Sequence, residues 1–268
     1  MGQFFDEQYN GYYQKHMEDI RDKFVNECQK IREQSIGYMF VTDNFTDEAG
    51  NQQKEIISAI KKPNEAWKEQ IALWRSSLQG FRENRDMPLE LFHAYFVQAW
   101  YGFLDNLFER MLEEHFAGLK TYNIKAIQIE FVSLEDTPHS LANNIKRRAW
   151  EYFSNKLKPE EKLSTIMKAL DATVPEQVKS NIRKHVAVRN VFQHNRGTLR
   201  ERDLKLFQSD HFKYPCGEAE YFGDTSDPNQ PADYHLKTYR VGDTIRIDNV
   251  VLNQIYDDLV EAAKNLVS

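Results

Sequence analysis

The sequence predicts a mainly α-helical protein, a helical bundle with a small β-hairpin near its C-terminal end and an N-terminal helical extension. Two observations lead to this fold class. Apolar residues recur at three- and four-residue steps along most of the chain, as helices with one buried face require. Prolines followed by acidic residues stand where helices would begin, and the runs that alternate apolar and polar residues are short.

The composition is typical of a soluble globular protein. The 268 residues include 41 Asp and Glu against 35 Lys and Arg, a net charge of −6, and 41% hydrophobic residues, too many for a disordered chain. The two cysteines, Cys28 and Cys216, fit neither a disulfide framework nor a zinc pattern, so we expect a cytoplasmic protein. The most apolar segment, 93–108, is interrupted by polar residues and shorter than the roughly 20 residues that span a membrane.

Residues 1–85 are predicted to form the helical extension. A stripe of apolar residues from Tyr13 to Ile31 has the spacing of one helical face, and a polar segment at 42–50 is predicted to end this helix. A second helix near Gln53 and a heptad-spaced segment follow, which together predict a helical hairpin packed on the rest of the protein.

Residues 86–268 are predicted to form the main domain. Asp86 and Pro88 supply the chemistry of a helix start. The helix that follows is apolar over such a wide face that it must be covered on more than one side. We therefore expect a central helix or a subunit interface, with residues 92–108 and the helix of Arg189 as the candidate interfaces.

The remaining elements are predicted from local signals, mainly prolines at helix starts and a glycine at a helix end. In chain order they are a strand-like run at 127–132, helices beginning at Thr137, Pro159 and Gln177, the last ended by Gly197, a long loop at 208–236, a hairpin at 239–247 around Gly242, and a final helix from Leu252 to Leu266.

The segment 183–197 joins an arginine, an amide and a histidine at the end of a helix. Asn190 and His194 are four residues apart, so the amide can hydrogen-bond the imidazole and fix its tautomer. The negative end of the helix dipole favours a protonated imidazole. The side chain of Arg189 can reach the same pocket as the imidazole and bind two oxygens of one phosphate, which predicts phosphodiester chemistry. The same residues could instead form a helix cap and a surface ion pair.

Residues 86–268 resemble the HEPN superfamily, the higher eukaryotes and prokaryotes nucleotide-binding domains. The helices at Thr137 and Pro159, the motif segment, and the closing hairpin and helix come in the order of that family. Arg189, Asn190 and His194 match its R-x4-6-H motif, which has a polar residue after the arginine, and the His-Asn-Arg-Gly continuation is similar to defence-type members. The resemblance implies an all-α domain that dimerises so that two motifs face one cleft.

The resemblance also implies a metal-independent endoribonuclease without a cofactor, as found in toxin–antitoxin, abortive-infection and CRISPR-associated systems. His194 would be the acid or base while the RNA 2′-hydroxyl attacks phosphorus, Arg189 would stabilise the phosphoryl charge, and Asn190 would orient the histidine or hold a phosphate. The expected partners are RNA, a second copy of the chain, and an antitoxin or other defence protein. Two alternatives stay open: a non-catalytic HEPN module that senses a nucleotide or RNA or bridges a partner, and a helical adaptor acting through residues 1–85.

The motif lies in the most basic stretch of an acidic protein. Residues 179–205 contain eight Lys and Arg against two acidic residues, a local balance of +6, so the whole-chain charge does not argue against RNA. The candidate contacts to RNA phosphates are Lys146, Arg147, Lys184, Arg196, Arg200 and Arg202.

Other candidates are weaker. Four side chains of the long loop could ligate a metal ion, although their spacing follows no zinc pattern: His211, Cys216, Asp224 and His235. Three aromatic residues of the same loop could stack on bases, although packing on their own domain is the plainer interpretation: Tyr214, Tyr221 and Phe222. His93 and His185 lie within helices and are predicted to be packing or surface residues.

Overall fold

The computed structural model describes residues 2–45, 86–122, 138–205, 211–216 and 236–267. Its elements are α1 (Gly2–Phe45), α2 (Asp86–Phe116), α3 (Pro138–Asn155), α4 (Pro159–Leu170), α5 (Glu176–Asn195), α6 (Glu201–Lys205), β1 (Phe212–Pro215), β2 (Leu236–Tyr239) and α7 (Asn249–Leu266). The predicted mainly α-helical class with a small antiparallel sheet is confirmed. None of the helices described is long and apolar enough to cross a membrane.

Contacts within the chain divide it into two compact units. The first unit contains Met1–Gln29, Tyr95–Asn190 and Ile255–Ser268, and the second contains Lys30–Ala94 and Val191–Gln254. Helices α1, α2, α5 and α7 each contribute to both units, because every boundary between the units falls inside one of these helices. The division at residue 85 into an extension and a main domain stays a prediction.

The core of the first unit is aromatic. Phe24 of α1 stacks on Phe103 of α2, with ring centroids 4.5 Å apart, and lies 5.8 Å from the ring of Trp100. Phe108 stacks on Phe153 of α3 at 4.0 Å. All five rings are buried within the chain. Helix α2 is therefore central, and this part of its apolar face is not available as a subunit interface.

Hydrogen bonds join α1 to α7 within the first unit. The Arg21 guanidinium donates to the backbone carbonyl of Val267 at 2.8 Å, and the Tyr256 hydroxyl donates to the Gln29 side chain at 2.9 Å. Helix α1 continues to Phe45, past the predicted break at residue 42, since residues such as Thr, Asp and Asn each cost a helix only about 0.7 kcal/mol. The part of α1 up to Gln29 thus belongs to this unit.

The two-stranded sheet lies in the second unit and corrects two predictions. Strand β1 pairs antiparallel with β2, with Phe212 opposite Tyr239. Residues 212–215 were expected inside a long loop at 208–236, and the hairpin was expected at 239–247 around Gly242, whereas the second strand is Leu236–Tyr239. Instead residues 240–243 form a turn, in which the Asp243 amide donates to the Arg240 carbonyl at 3.1 Å. The pairing joins residues more than 20 positions apart, a distance over which local patterns carry no information.

The predicted helix starts are confirmed where the structure describes them. Helices α3 and α4 begin at Pro138 and Pro159, whose fixed φ suits the first helical turn. At the start of α4 the Glu161 carboxylate accepts a hydrogen bond from the Lys158 backbone amide at 2.9 Å. The predicted strand-like run at 127–132 and the helical segments of residues 53–81 lie outside the described residues.

Candidate functional site

The three motif residues all lie on α5. Arg189 and Asn190 belong to the first unit and are half-buried, whereas His194 belongs to the second unit and is exposed. Apolar residues of α5 such as Val178, Ile182 and Val188 are buried, whereas the polar Gln193 and His194 of its last turn are exposed.

Arg189 has a buried donor with no acceptor. Its Nη1 donates to Asn190 Oδ1 at 3.2 Å. Its Nε is buried, and no hydrogen-bond partner for it exists among the described residues. Leaving a buried donor unpaired costs about 1–3 kcal/mol, and more for a charged group, so such atoms are rare in folded proteins. A phosphate or carboxylate oxygen would satisfy this donor in the geometry that a guanidinium prefers.

Asn190 makes a contact that the sequence analysis did not predict. Its amide oxygen accepts the hydrogen bond from Arg189, the preceding residue. The amide therefore fixes one nitrogen of the guanidinium and leaves Nε for another acceptor. This contact gives Asn190 a positioning role toward Arg189, in addition to the predicted role toward His194.

Sequence reasoning missed Tyr101 of α2, whose hydroxyl feels the positive charge of Arg189. Burial raises the pKa of the Tyr101 hydroxyl to about 12, while the nearby positive charge of Arg189 acts to lower it and Glu160 acts to raise it. The only signal in the sequence was a tyrosine four residues before Asp105 on a strongly apolar helix. That signal is too weak to separate Tyr101 from the aromatic residues of the core.

Lys162 of α4 lies against the same tyrosine. Its Nζ is 5.8 Å from the centroid of the Tyr101 ring and 5.3 Å from that of Phe153, distances at which a cation is attracted to an aromatic face. The same atom forms an ion pair with Asp105 at 2.9 Å, and the residue is 7% exposed. The charge of Lys162 is therefore neutralised inside the unit, whereas Arg189 is left with an open donor.

His194 lies in the last turn of α5, directly before the predicted stop. After Asn195 the backbone turns into the left-handed region, with φ values of 52° at Arg196 and 82° at Gly197. A Cβ on Gly197 would lie 2.7 Å from a ring carbon of Phe192 and 3.2 Å from the Ile245 carbonyl oxygen. Both the backbone conformation and this close approach require glycine, which confirms the predicted end of the helix.

A buried network holds the residues that follow His194. The Asn195 amide donates to the Asp203 carboxylate at 3.0 Å and accepts from Arg202 at 3.2 Å. The same carboxylate accepts from the Arg200 backbone amide at 2.8 Å. Asn195 and Asp203 are both buried. These hydrogen bonds therefore fix the backbone that directly follows the exposed His194.

The six candidate RNA contacts differ in their exposure and in whether their charges are paired. Four have exposed side chains: Arg147, Arg196, Arg200 and Arg202. Of these, Arg202 also donates to Asn195 and lies 3.7 Å from the Asp203 carboxylate. Lys146 is ion-paired with Glu113 at 2.8 Å, and burial lowers the pKa of Lys184. Lys146, Arg147 and Lys184 belong to the first unit and the other three to the second. The exposed arginines are thus the better placed of the six to meet phosphate groups.

The weaker candidates of the sequence analysis have structural roles where they are described. Tyr214 is fully buried, and its hydroxyl lies 3.0 Å from His93 Nε2, so the suggestion that it stacks on bases is wrong. Cys216 is buried and His211 is exposed. Among the residues that the structure describes, no three His, Cys, Asp or Glu side chains group as a metal site would require. The other four candidates lie outside the described residues: Tyr221, Phe222, Asp224 and His235.

His185 is the second histidine of α5, and its role is in packing. It is 1% exposed, and its Nε2 lies 3.0 Å from a carboxylate oxygen of Asp258 on α7. The other oxygen of Asp258 accepts a hydrogen bond from Asn181 at 3.0 Å. Both carboxylate oxygens are therefore used inside the first unit. The prediction that His93 and His185 are packing residues is confirmed.

Comparisons with known proteins add no further assignment. No family model, no curated protein and no solved structure matches the chain. The resemblance to the HEPN superfamily accordingly depends on the motif residues and on the order of the elements, and it stays a prediction.

Proposed function

We propose that the protein is a metal-independent endoribonuclease of HEPN type. The observation that carries the proposal is the guanidinium of Arg189, which Asn190 fixes through one nitrogen and whose buried Nε has no acceptor in the described part of the chain. The phosphodiester of RNA offers two oxygens in the fork geometry that arginine binds. An exposed histidine follows on the same helix, as phosphodiester chemistry requires.

In the proposed reaction the RNA itself supplies the nucleophile. Its 2′-hydroxyl attacks the adjacent phosphorus while the bond from phosphorus to the 5′-oxygen of the next nucleotide breaks. The products are a 2′,3′-cyclic phosphate and a free 5′-hydroxyl. His194 accepts the proton of the nucleophile or donates one to the leaving oxygen, and Arg189 stabilises the charge on the non-bridging oxygens. Since the nucleophile belongs to the substrate, the reaction needs no metal ion and no cofactor.

The proposal includes the partners that the resemblance implies. We propose a cytoplasmic homodimer in which two motifs face one cleft, acting as the effector of an anti-phage or toxin–antitoxin system and restrained by a partner protein. The balance of +6 over residues 179–205 supports RNA as the substrate, because cations near the site attract phosphate groups.

The test is cleavage of a labelled single-stranded RNA in the presence of a chelator. We expect 2′,3′-cyclic ends from the wild-type protein, and rates reduced about 10²- to 10⁴-fold in Arg189→Ala and His194→Ala. His211→Ala removes another exposed histidine and should cleave at the wild-type rate. Normal cleavage by His194→Ala would overturn the proposal. Binding of RNA through Arg189 without any cleavage would instead identify the non-catalytic HEPN module.

A further inference from the structure

The chain directly after the motif is paired with a segment more than 40 residues away. Two backbone hydrogen bonds, of 2.9 and 3.0 Å, join residues 197–199 to residues 243–245 within the second unit. Between these hydrogen bonds, Thr198 and Thr244 form an antiparallel bridge. A pair in this position brings its two side chains close together, and the two hydroxyl oxygens are 3.4 Å apart.

The outer side of this pairing is polar. Successive side chains of an extended chain alternate between two faces, and the burial of the two segments follows this alternation. The inner side chains are apolar and buried, namely Leu199, Ile245 and Ile247, and the outer ones are polar and exposed or half-buried, namely Thr198, Arg200, Thr244 and Arg246. We call these four outer residues the bridge surface. Each of its arginines stands two positions from the bridged threonine of its segment.

The two arginines of the bridge surface have no carboxylate partner among the described residues. Four carboxylates lie near them in the chain, and each has another partner. Glu201 pairs with Lys205, Asp203 accepts from Asn195, Asp243 accepts from the Arg240 backbone amide, and Asp248 accepts from the Val251 backbone amide. Both guanidinium charges of the surface are therefore available to an anion.

We propose that the bridge surface binds phosphate groups of the RNA strand whose cleavage His194 assists. Arginine and threonine side chains are among the groups that contact phosphate oxygens in complexes with nucleic acids. Two unpaired cations attract a polyanion, and the hydroxyls between them can donate to its oxygens. The surface begins four residues after His194 in the same unit. It adds Thr198, Thr244 and Arg246 to the contacts expected from the sequence, and the identity of the anion as RNA rests on the proposed function.

The test compares two exposed cations of the second unit. Arg246→Gln removes a charge of the bridge surface, and Lys213→Gln removes one from β1, so the net charge changes equally. The probe is a single-stranded RNA with methylated 2′-hydroxyls, which cannot be cut. We expect Arg246→Gln to bind it about tenfold more weakly and to lower the slope of log K against log salt by about 0.7, the value for one phosphate contact to a single strand. Lys213→Gln should match the wild type in both.

The hydroxyls are tested separately with Thr244→Val, which keeps the branched shape. We expect binding about 3- to 10-fold weaker with an unchanged salt slope, because no charge is lost. Unchanged unfolding midpoints in urea would show that the variants fold. Wild-type affinity in Arg246→Gln or in Thr244→Val, or an equal loss in Lys213→Gln, would overturn the inference. Binding of poly-glutamate through Arg246 without binding of RNA would also overturn it and would identify an acidic protein as the partner.

The outcomes distinguish this inference from the proposed function. If the wild-type protein binds the uncut RNA through Arg246 and Thr244 but cleaves no RNA, the inference about the bridge surface holds and the ribonuclease proposal fails. If the protein cleaves RNA, and Arg246→Gln binds and cleaves as the wild type does, the ribonuclease proposal holds and the inference fails. If the wild-type protein neither binds nor cleaves RNA, both are wrong.

Discussion

Helix α5 carries two histidines in opposite environments. His185 is 1% exposed, and its Nε2 lies 3.0 Å from the Asp258 carboxylate, which also binds Asn181. His194 is exposed in the last turn, with its backbone anchored by the residues that follow it. The two side chains are chemically the same, so their neighbours decide what each can do. A buried imidazole with a carboxylate partner stabilises the fold, whereas an exposed one can reach a substrate.

Residue type and spacing do not by themselves identify a catalytic histidine. Both histidines of α5 lie in the same basic segment, so the sequence around them does not distinguish their roles. Only burial and hydrogen bonding separate a structural histidine from a candidate catalytic one. The strongest way to challenge the comparison is therefore to remove the partners of the buried histidine.

The largest expected effect on stability is that of Asp258→Ala. The variant leaves the buried His185 and the half-buried Asn181 without this acceptor, and we expect a loss of about 3–5 kcal/mol in the free energy of unfolding. His194→Ala should change it by less than about 0.5 kcal/mol, because the side chain is exposed. Urea unfolding followed by circular dichroism gives both values. Equal stability of the two variants would show that the contrast between the histidines is wrong.

An intermediate effect is expected where α5 ends. Gly197→Ala meets a left-handed backbone and a ring carbon 2.7 Å from the new Cβ, and should lower stability by about 2–3 kcal/mol. Gly242→Ala is the matched control, because its φ is 92° but nothing lies within 4 Å of the new Cβ. Gly242→Ala should lower stability only by the cost of placing alanine in a left-handed backbone conformation, about 1–2 kcal/mol. Thermal unfolding of both variants separates the two contributions, and equal losses would rule out the close contact with Phe192.

The smallest expected effect concerns Lys184, the residue before His185. Burial lowers the pKa of its amino group from the ordinary 10.5, and the charge of Asp258 partly opposes this. Between the lowered pKa and 10.5 the unfolded chain binds more protons than the folded one, so this residue adds stability as the pH rises through that window. The side chain is half-buried, and the change should stay below about 1 kcal/mol.

The comparison of wild type with Lys184→Met isolates this contribution. The difference in urea midpoint between the two proteins should move in favour of the wild type from about pH 8 to about pH 11. A difference that is constant, or that moves toward the variant, would show that burial does not disfavour the charge of Lys184.

The sequence was sufficient to predict features that depend only on residues close together in the chain. The starts of α3 and α4 follow from the fixed φ of Pro138 and Pro159, and the end of α5 follows from the conformational freedom of Gly197. The buried stripe of α7 follows from helical periodicity, and its apolar members are all buried as expected: Leu252, Ile255, Leu259, Ala262, Ala263 and Leu266. Such features need no knowledge of how the helices pack.

Features that depend on tertiary contacts were missed. Strand β1 pairs with residues more than 20 positions away, and the charge of Arg189 acts on Tyr101, a residue of another helix. Tyr214 is buried, as expected of a loop aromatic that packs on its own domain, but its partner His93 was not predicted. In each case the residue type was visible and its partner was not, since side-chain neighbours from other helices and strands leave no local pattern.

The hydrogen bonds that join α1 to the segment 256–267 affect when the first unit can be completed during translation. The Arg21 guanidinium binds the Val267 carbonyl, and Gln29 binds Tyr256, so both of these contacts can form only after the ribosome has made residue 267. At 5 to 20 residues per second, the first helix waits roughly 10 to 50 s for its partner. Arg189 belongs to this unit. If the protein is the toxic nuclease proposed, the unit that holds Arg189 is complete only after residue 267 has been made.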